Sequence, residues 1–377
     1  MEAEQLNPGT LSLNRDVTGR GLGHLVPRAG SDPPHRGCPN LLRLHLFDTL
    51  VNQKDVAEVV KHFPRLEYLG YKEAARVIKN IHATAIAKAL PVPQLKFTHI
   101  NNMGSKNRKV SADALRCRKP IMNALVEALP HLKNIKARVT DGDVEGLIPA
   151  GKLAQVELLY NSGARDSPQY GMTSLLEARG AGLTSVALVS KMLSVMNVKV
   201  IAENCPNLSQ LWLRCNHFTN PDLSNAPEFS PTIEHPHLRK LAVLYLRVGE
   251  NNYNTCKLQP YVFHYLLRNA GESLRELILA ARTSTLTDKF MKYLVASVGL
   301  RSLEKLMVVV PGLNDIPGAL DLTADFASFA IDSMPRLRKL GNLISWSVGR
   351  DDLFVLEADC TMANYDLEVV CRKMVMR

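Results

Sequence analysis

One phrase recurs along this chain of 377 residues: a small or apolar residue, often followed by proline, then one further residue and Leu-x-x-Leu-x-Leu or an apolar variant of it. It reads CPNLLRLHL from Cys38, FPRLEYLGY from Phe63, VPQLKFTHI from Val92, LPHLKNIKA from Leu129, AGKLAQVEL from Ala150 and GAGLTSVAL from Gly180. It continues as CPNLSQLWL from Cys205, HPHLRKLAV from His235, GESLRELIL from Gly271, LRSLEKLMV from Leu300 and MPRLRKLGN from Met334. The anchoring leucines are Leu41, Leu66, Leu95, Leu132, Leu153, Leu183, Leu208, Leu238, Leu274, Leu303 and Leu337, spaced by 21 to 37 residues. A proline stands two residues ahead of the anchor in seven of the eleven, which scattered leucines in an apolar chain would not produce. Spacing of this order marks a solenoid, in which each unit buries its apolar side only against its neighbours.

Within each phrase the alternating apolar residues predict a short strand, one face turned inward and the other outward. Helical patterns lie between phrases, over Gln53 to His62, Glu73 to Leu90, Ile121 to Leu129, Tyr261 to Asn269, Asp288 to Val298 and Thr323 to Ser333. One strand and one helix per repeat give an α/β solenoid: a horseshoe of about eleven repeats with a concave parallel sheet and convex helices. Proline suits the strand entrance, where its missing N–H precedes the sheet ladder and its ring ends the preceding helix. The apolar stretch from Leu183 to Ala202 carries Lys191 and Lys199, which a lipid-facing span would not tolerate, and reads as a buried helix of the solenoid. The expected organisation is a disordered or capping leader over residues 1–37, repeats over 38–345 and a C-terminal cap over 346–377.

Composition narrows the function. The seven cysteines are odd in number and scattered, unlike a secreted disulfide scaffold, and no signal-peptide core precedes Ala29, so a reducing, intracellular setting is expected, nuclear or cytoplasmic. Net charge is +10, distributed as +4, +6, +2 and −2 over residues 1–100, 101–200, 201–300 and 301–377. That polarity favours an acidic partner; the basic residues come without a nucleic-acid-binding signature, which disfavours nucleic acid. A further basic run from Lys106 to Lys119 reads as a solvated loop and helix face in an over-long repeat.

The phrases resemble the cysteine-containing and ribonuclease-inhibitor-like leucine-rich repeats, especially the repeat regions of F-box proteins. Residues 201–219, IAENCPNLSQLWLRCNHFT, carry that resemblance best, and it covers roughly 38 to 345. It implies a substrate-recognition module of a ubiquitin ligase, with the ligase adaptor as a partner docked on a separate N-terminal helical motif. Residues 1–37 hold no apolar helical block with Leu-Pro near its start, so a free-standing binding or inhibitory repeat protein stands as the alternative.

With each anchor as position one, positions three, five and seven face the concave side. The partner-binding candidates there are His45, Tyr68, Phe97, His99, Lys136, Arg138, Trp212 and Arg214. Trp212 with Arg214 is the expected anchor and Lys136 with Arg138 the expected charge contact, because aromatic and arginine side chains concentrate binding energy at interfaces. The matching positions Ile278, Ala280, Met307 and Val309 are apolar and point to burial or to a shifted register. Phosphate-binding, nucleophile-elbow and zinc-protease motifs are all missing, so no catalytic residue, metal or cofactor is expected. Cys205, Cys215, His217, His235 and His237 match no common zinc spacing.

Overall fold

The computed structural model describes residues 10–13, 18, 21–22, 25, 38, 40–46, 49–63, 65–88, 95, 97–102, 116–160, 168–219, 238–249, 260–268, 270–281, 286–310, 318–362 and 367–370. The chain forms two compact units.

The first unit holds residues 1–161 and 169–179. Its strands are β1 (Thr10–Ser12), β2 (Arg43–His45), β3 (Tyr68–Gly70), β4 (His99–Asn101), β5 (Asn134–Val139) and β6 (Gln155–Tyr160), each parallel to the next in chain order. Its helices are α1 (Gln53–Val60), α2 (Ala74–Ala87), α3 (Lys119–Ala128), the single turn α4 (Asp141–Val144) and α5 (Tyr170–Arg179). The second unit holds residues 162–168 and 180–377. It repeats the scheme with β7 (Ser185–Ser194), β8 (Gln210–Thr219), β9 (Val243–Val248), β10 (Glu276–Ala281), β11 (Lys305–Val309), β12 (Lys339–Gly341) and β13 (Glu368–Val370), again parallel neighbours in order. Between them run α6 (Val195–Asn204), α7 (Pro260–Leu267), α8 (Asp288–Val298), α9 (Ala324–Ser333) and α10 (Arg350–Met362).

Each of the eleven phrases leads into one strand, β2 to β12. The first leucine closes a tight turn, its N–H donating three residues back: Leu66 to the Phe63 carbonyl, Leu132 to Leu129, Leu208 to Cys205, Leu337 to Met334. The next two apolar positions enter the core, as Leu44 and Leu46 do at 0% exposure, while the residues between them face outward. Parallel strands one repeat apart follow, since identical phrases place identical faces inward.

Small polar residues start several of the helices. The side chains of Asn52, Ser194, Thr287 and Thr323 accept backbone N–H groups of the turns they precede, occupying donors a helix start leaves unpaired. Others tie one repeat to its neighbour: Asn102 accepts the Ala75 N–H at 3.0 Å, and the Asp141 carboxylate accepts those of Gln169, Gly171 and Met172 at the start of α5. Asp143 takes the same part across α3 and α4, accepting from Arg116, Lys119 and Thr140.

Three expectations need correction. Residues 183–202 are not one buried helix but β7 followed by α6: Leu183 is an anchor, burial alternates through Ser185–Ser194, and Ser194 caps the helix. In the third repeat the anchor is Phe97 rather than Leu95, because β4 pairs His99 with Tyr68. In the eighth it is Leu241 rather than Leu238, since the Leu241 N–H closes the turn onto the Leu238 carbonyl at 3.0 Å and Val243 pairs with Gln210.

Candidate protein-binding surface

The outward positions of the strands line up in rows across each sheet, because parallel neighbours in matched register place equivalent side chains side by side. In the first unit one row runs Arg43, Tyr68, His99, Asn134, Gln155 and the next runs His45, Gly70, Asn101, Lys136, Glu157. Short β2 to β4 bring the aromatic and cationic members together. The rings of His45 and Tyr68 lie 4.5 Å apart at 36°, and the Arg43 guanidinium sits 5.3 Å over the Tyr68 ring. Asn101 donates to the Tyr68 hydroxyl at 3.4 Å, and His99 Nδ1 is 2.7 Å from the Thr98 hydroxyl. Burial first, and then the Arg43 charge, hold both imidazoles below the usual histidine range, which favours the neutral ring at pH 7. Burial pushes the Tyr68 phenol up.

Lys136 pairs with Glu157 at 2.6 Å on the neighbouring strand. The charge contact expected there is therefore partly satisfied within the sheet, and Arg138, half-buried in the next row, is its remaining cation. Phe97 does not belong to the surface: at 1% exposure it is among the largest fully buried side chains, since it fills the anchor slot.

In the second unit Trp212 stands out from β8 at 41% exposure, with Arg214 half-buried two residues on. Their register partners on β9 are Tyr245 and Arg247. The Trp212 and Tyr245 rings stack at 4.9 Å and 27°. Both β9 residues escaped the sequence reading because counting from Leu238 placed other residues outward; counting from the later Leu241-x-x-Leu244-x-Leu246 finds them. Beyond Tyr245 the row continues into Ile278 and Met307, and Ala280 and Val309 follow in the next, all buried at 5% exposure or less. The register at these four is the one expected, so their apolar character reflects burial. A separate row at the strand entrances is charged, with Lys305–Glu276 at 2.9 Å and Lys339–Glu368 at 2.7 Å.

Other candidates resolve into structural roles. Of the basic run, Arg116 pairs with Asp143 at 2.5 Å and Lys119 with Glu145, while residues 103–115 lie outside the described residues. Cys205 is buried and its thiol pushed up to about 12, and burial does the same to Cys117. Cys215 is buried, His217 exposed, and His235 and His237 lie outside the described residues. Among the described residues no three of His, Cys, Asp and Glu gather in a metal-binding group, and no helix is long and apolar enough to cross a membrane.

No family model matches the sequence, and no curated protein does. Solved structures similar to the chain include TLR13 in a TLR13–ssRNA13 complex, at 16% identity and TM-score 0.42 over 76% of this chain and 35% of that one, so this chain spans about a third of its length. The leucine-rich-repeat-containing protein LegL7 of Legionella pneumophila matches at 12% identity and TM-score 0.35, covering 86% of this chain and 88% of that one. A Bacteroides fragilis protein matches at 12% and 0.36, covering 81% and 76%. With eleven Leu-x-x-Leu-x-Leu phrases each leading into one strand of parallel sheet, backed by intervening helices, the chain is a leucine-rich-repeat solenoid.

Proposed function

We propose that this chain is a protein-binding scaffold that takes its partner on the outward strand faces, through Trp212 and Arg214 in the second unit and His45, Tyr68, His99 and Arg138 in the first. The observation that carries the reading is Trp212, a large aromatic side chain held 41% exposed in the middle of a sheet. An exposed tryptophan flanked by arginine is the residue pairing in which interface energy concentrates. Such a role needs rigid positions and no reacting group, and the regular ladder supplies the positions. The resemblance of residues 201–219 to F-box repeats extends the proposal to substrate recognition for a ubiquitin ligase, with an acidic partner preferred on grounds of net charge.

A free-standing binding or inhibitory scaffold is the second reading. It needs only the outward strand faces and neither adaptor nor ubiquitin. Affinity purification of the intact chain beside a Trp212→Ala/Arg214→Ala variant, with mass spectrometry of what is retained, tests both. Adaptor and cullin on both forms, with a target lost from the variant, supports the ligase module. A variant-sensitive partner without ligase components supports the free-standing scaffold, and no variant-sensitive protein at all overturns the proposal.

A further inference from the structure

Across β8 and β9 the outward residues form a two-by-two block. Trp212 and Tyr245 are register partners, stacked at 4.9 Å. The next outward pair on the same two strands is Arg214 and Arg247, also in register. Neighbouring strands are about 4.8 Å apart, and residues two apart along a strand about 6.8 Å, so an aromatic shelf adjoins a pair of guanidinium groups within one or two side-chain lengths. Both arginines are half-buried. Arg247 Nε is enclosed and makes no hydrogen bond with the described residues. Two like charges side by side in a partly desolvated setting are stabilised by an anion placed between them, and planar guanidinium groups suit a carboxylate in particular.

The surroundings limit what that anion belongs to. In the arginine row the residues on either side are Val189 and Ala280, and in the aromatic row they are Ala187 and Ile278. The cations therefore do not continue as a track, whereas a single-stranded nucleic acid calls for a groove of positive charge that follows its backbone. A short segment with one acidic group and one ring matches the block as it stands.

We propose that this block is the recognition site for an acidic, aromatic-bearing linear segment of the partner protein, a carboxylate bridging Arg214 and Arg247 while a ring two residues away lies on the exposed face of Trp212. The proposal rests on the scaffold reading and names the chemistry of its ligand.

The chain has two tryptophans, and Trp346 is fully buried with its indole N–H donating to the Val308 carbonyl, so a change in emission on titration reports Trp212. The full chain is titrated with a capped peptide in which glutamate and phenylalanine stand two residues apart, with its glutamine counterpart, and with oligouridylate. Saturable change with the glutamate peptide is expected, with binding about tenfold weaker for the glutamine peptide and for Arg247→Gln, and intermediate for Arg247→Lys. Circular dichroism of each variant establishes that the fold is kept. Absence of binding by the glutamate peptide, equal binding of the glutamine peptide, an unaltered Arg247→Gln affinity, or tighter binding of oligouridylate overturns the site. Any of these, beside a partner still captured through other outward residues, removes this inference and leaves the scaffold standing; absence of any captured partner removes the scaffold itself.

Discussion

Trp212 lies nearly flat on Tyr245, one repeat away in sequence and one strand away in space, with ring planes 27° apart. The stack leaves Tyr245 at 9% exposure and Trp212 at 41%, so one ring serves as a floor and the other is presented. Stacked aromatic pairs contribute about 0.5–1.5 kcal/mol beyond their buried area, enough to hold the indole in one orientation without burying it.

Adjacent residues of β8 should respond oppositely to mutation. Leu211 is fully buried, and Leu211→Asp puts a charge into the core shared with neighbouring repeats. A loss above about 4 kcal/mol is expected, with several repeats unfolding together. Trp212→Ala should cost about 1 kcal/mol and leave the helical signal intact. Equal loss of circular dichroism in both variants would contradict the register of β8.

His45 and His99 should titrate below 6.5 in an NMR pH series, held there by burial and then by Arg43. Arg43→Gln should move both upward without restoring either fully, because burial remains. Since the unfolded chain binds more protons between the lowered values and 6.5, these two groups should make stability decline as pH falls through that window. A histidine unmoved by Arg43→Gln would contradict the arrangement of β2 to β4.

Asp143 carries the opposite sign. Burial alone would raise its carboxyl, but hydrogen bonds from Arg116, from the Thr140 side chain and backbone, and from the Lys119 backbone outweigh that and leave it below the usual carboxylate range. Its contribution should be fully present above the unfolded value near ~3.9 and fade as pH falls through the lowered folded value. Asp143→Asn should cost about 2–3 kcal/mol at pH 7 and flatten the acid limb of the stability profile; an unchanged limb would refute the assignment.

Gly171 shows where the α5 turn admits no side chain. A Cβ there would meet the Asp141 backbone oxygen at 2.0 Å, beside the carboxylate that caps the helix. Gly171→Ala should destabilise by about 1–3 kcal/mol in denaturant unfolding, despite alanine's better helix propensity. Neutral behaviour would mean that the helix start can retreat from Asp141.

The solenoid was legible because its signal is spread over many copies of one phrase. The phrases anchored at Leu153 and Leu183, which lack the proline, nonetheless gave the observed register of β6 and β7. The two failures of register came where the proline cue was followed. After VPQL the strand starts two residues later than the phrase implies, so Phe97 takes the anchor slot and leaves the surface; after HPHL it starts three later, with Leu241 as the anchor. Proline ends the preceding helix but does not set the length of chain before the strand. That offset hid Tyr245 and Arg247, and with them half of the block around Trp212. Ion pairs such as Lys136–Glu157 were also invisible, because they join residues a repeat apart whose pairing depends on register.

Hydroxyl-radical footprinting of the chain, free and with the captured partner bound, tests most directly whether the outward strand face is the binding surface. Trp212, on that face, and Tyr293, 57% exposed on α8, are both open to oxidation in the free chain. Protection of Trp212 with Tyr293 still reactive is the predicted result. Protection of Tyr293 with Trp212 unchanged would place the partner on the helices and contradict the account.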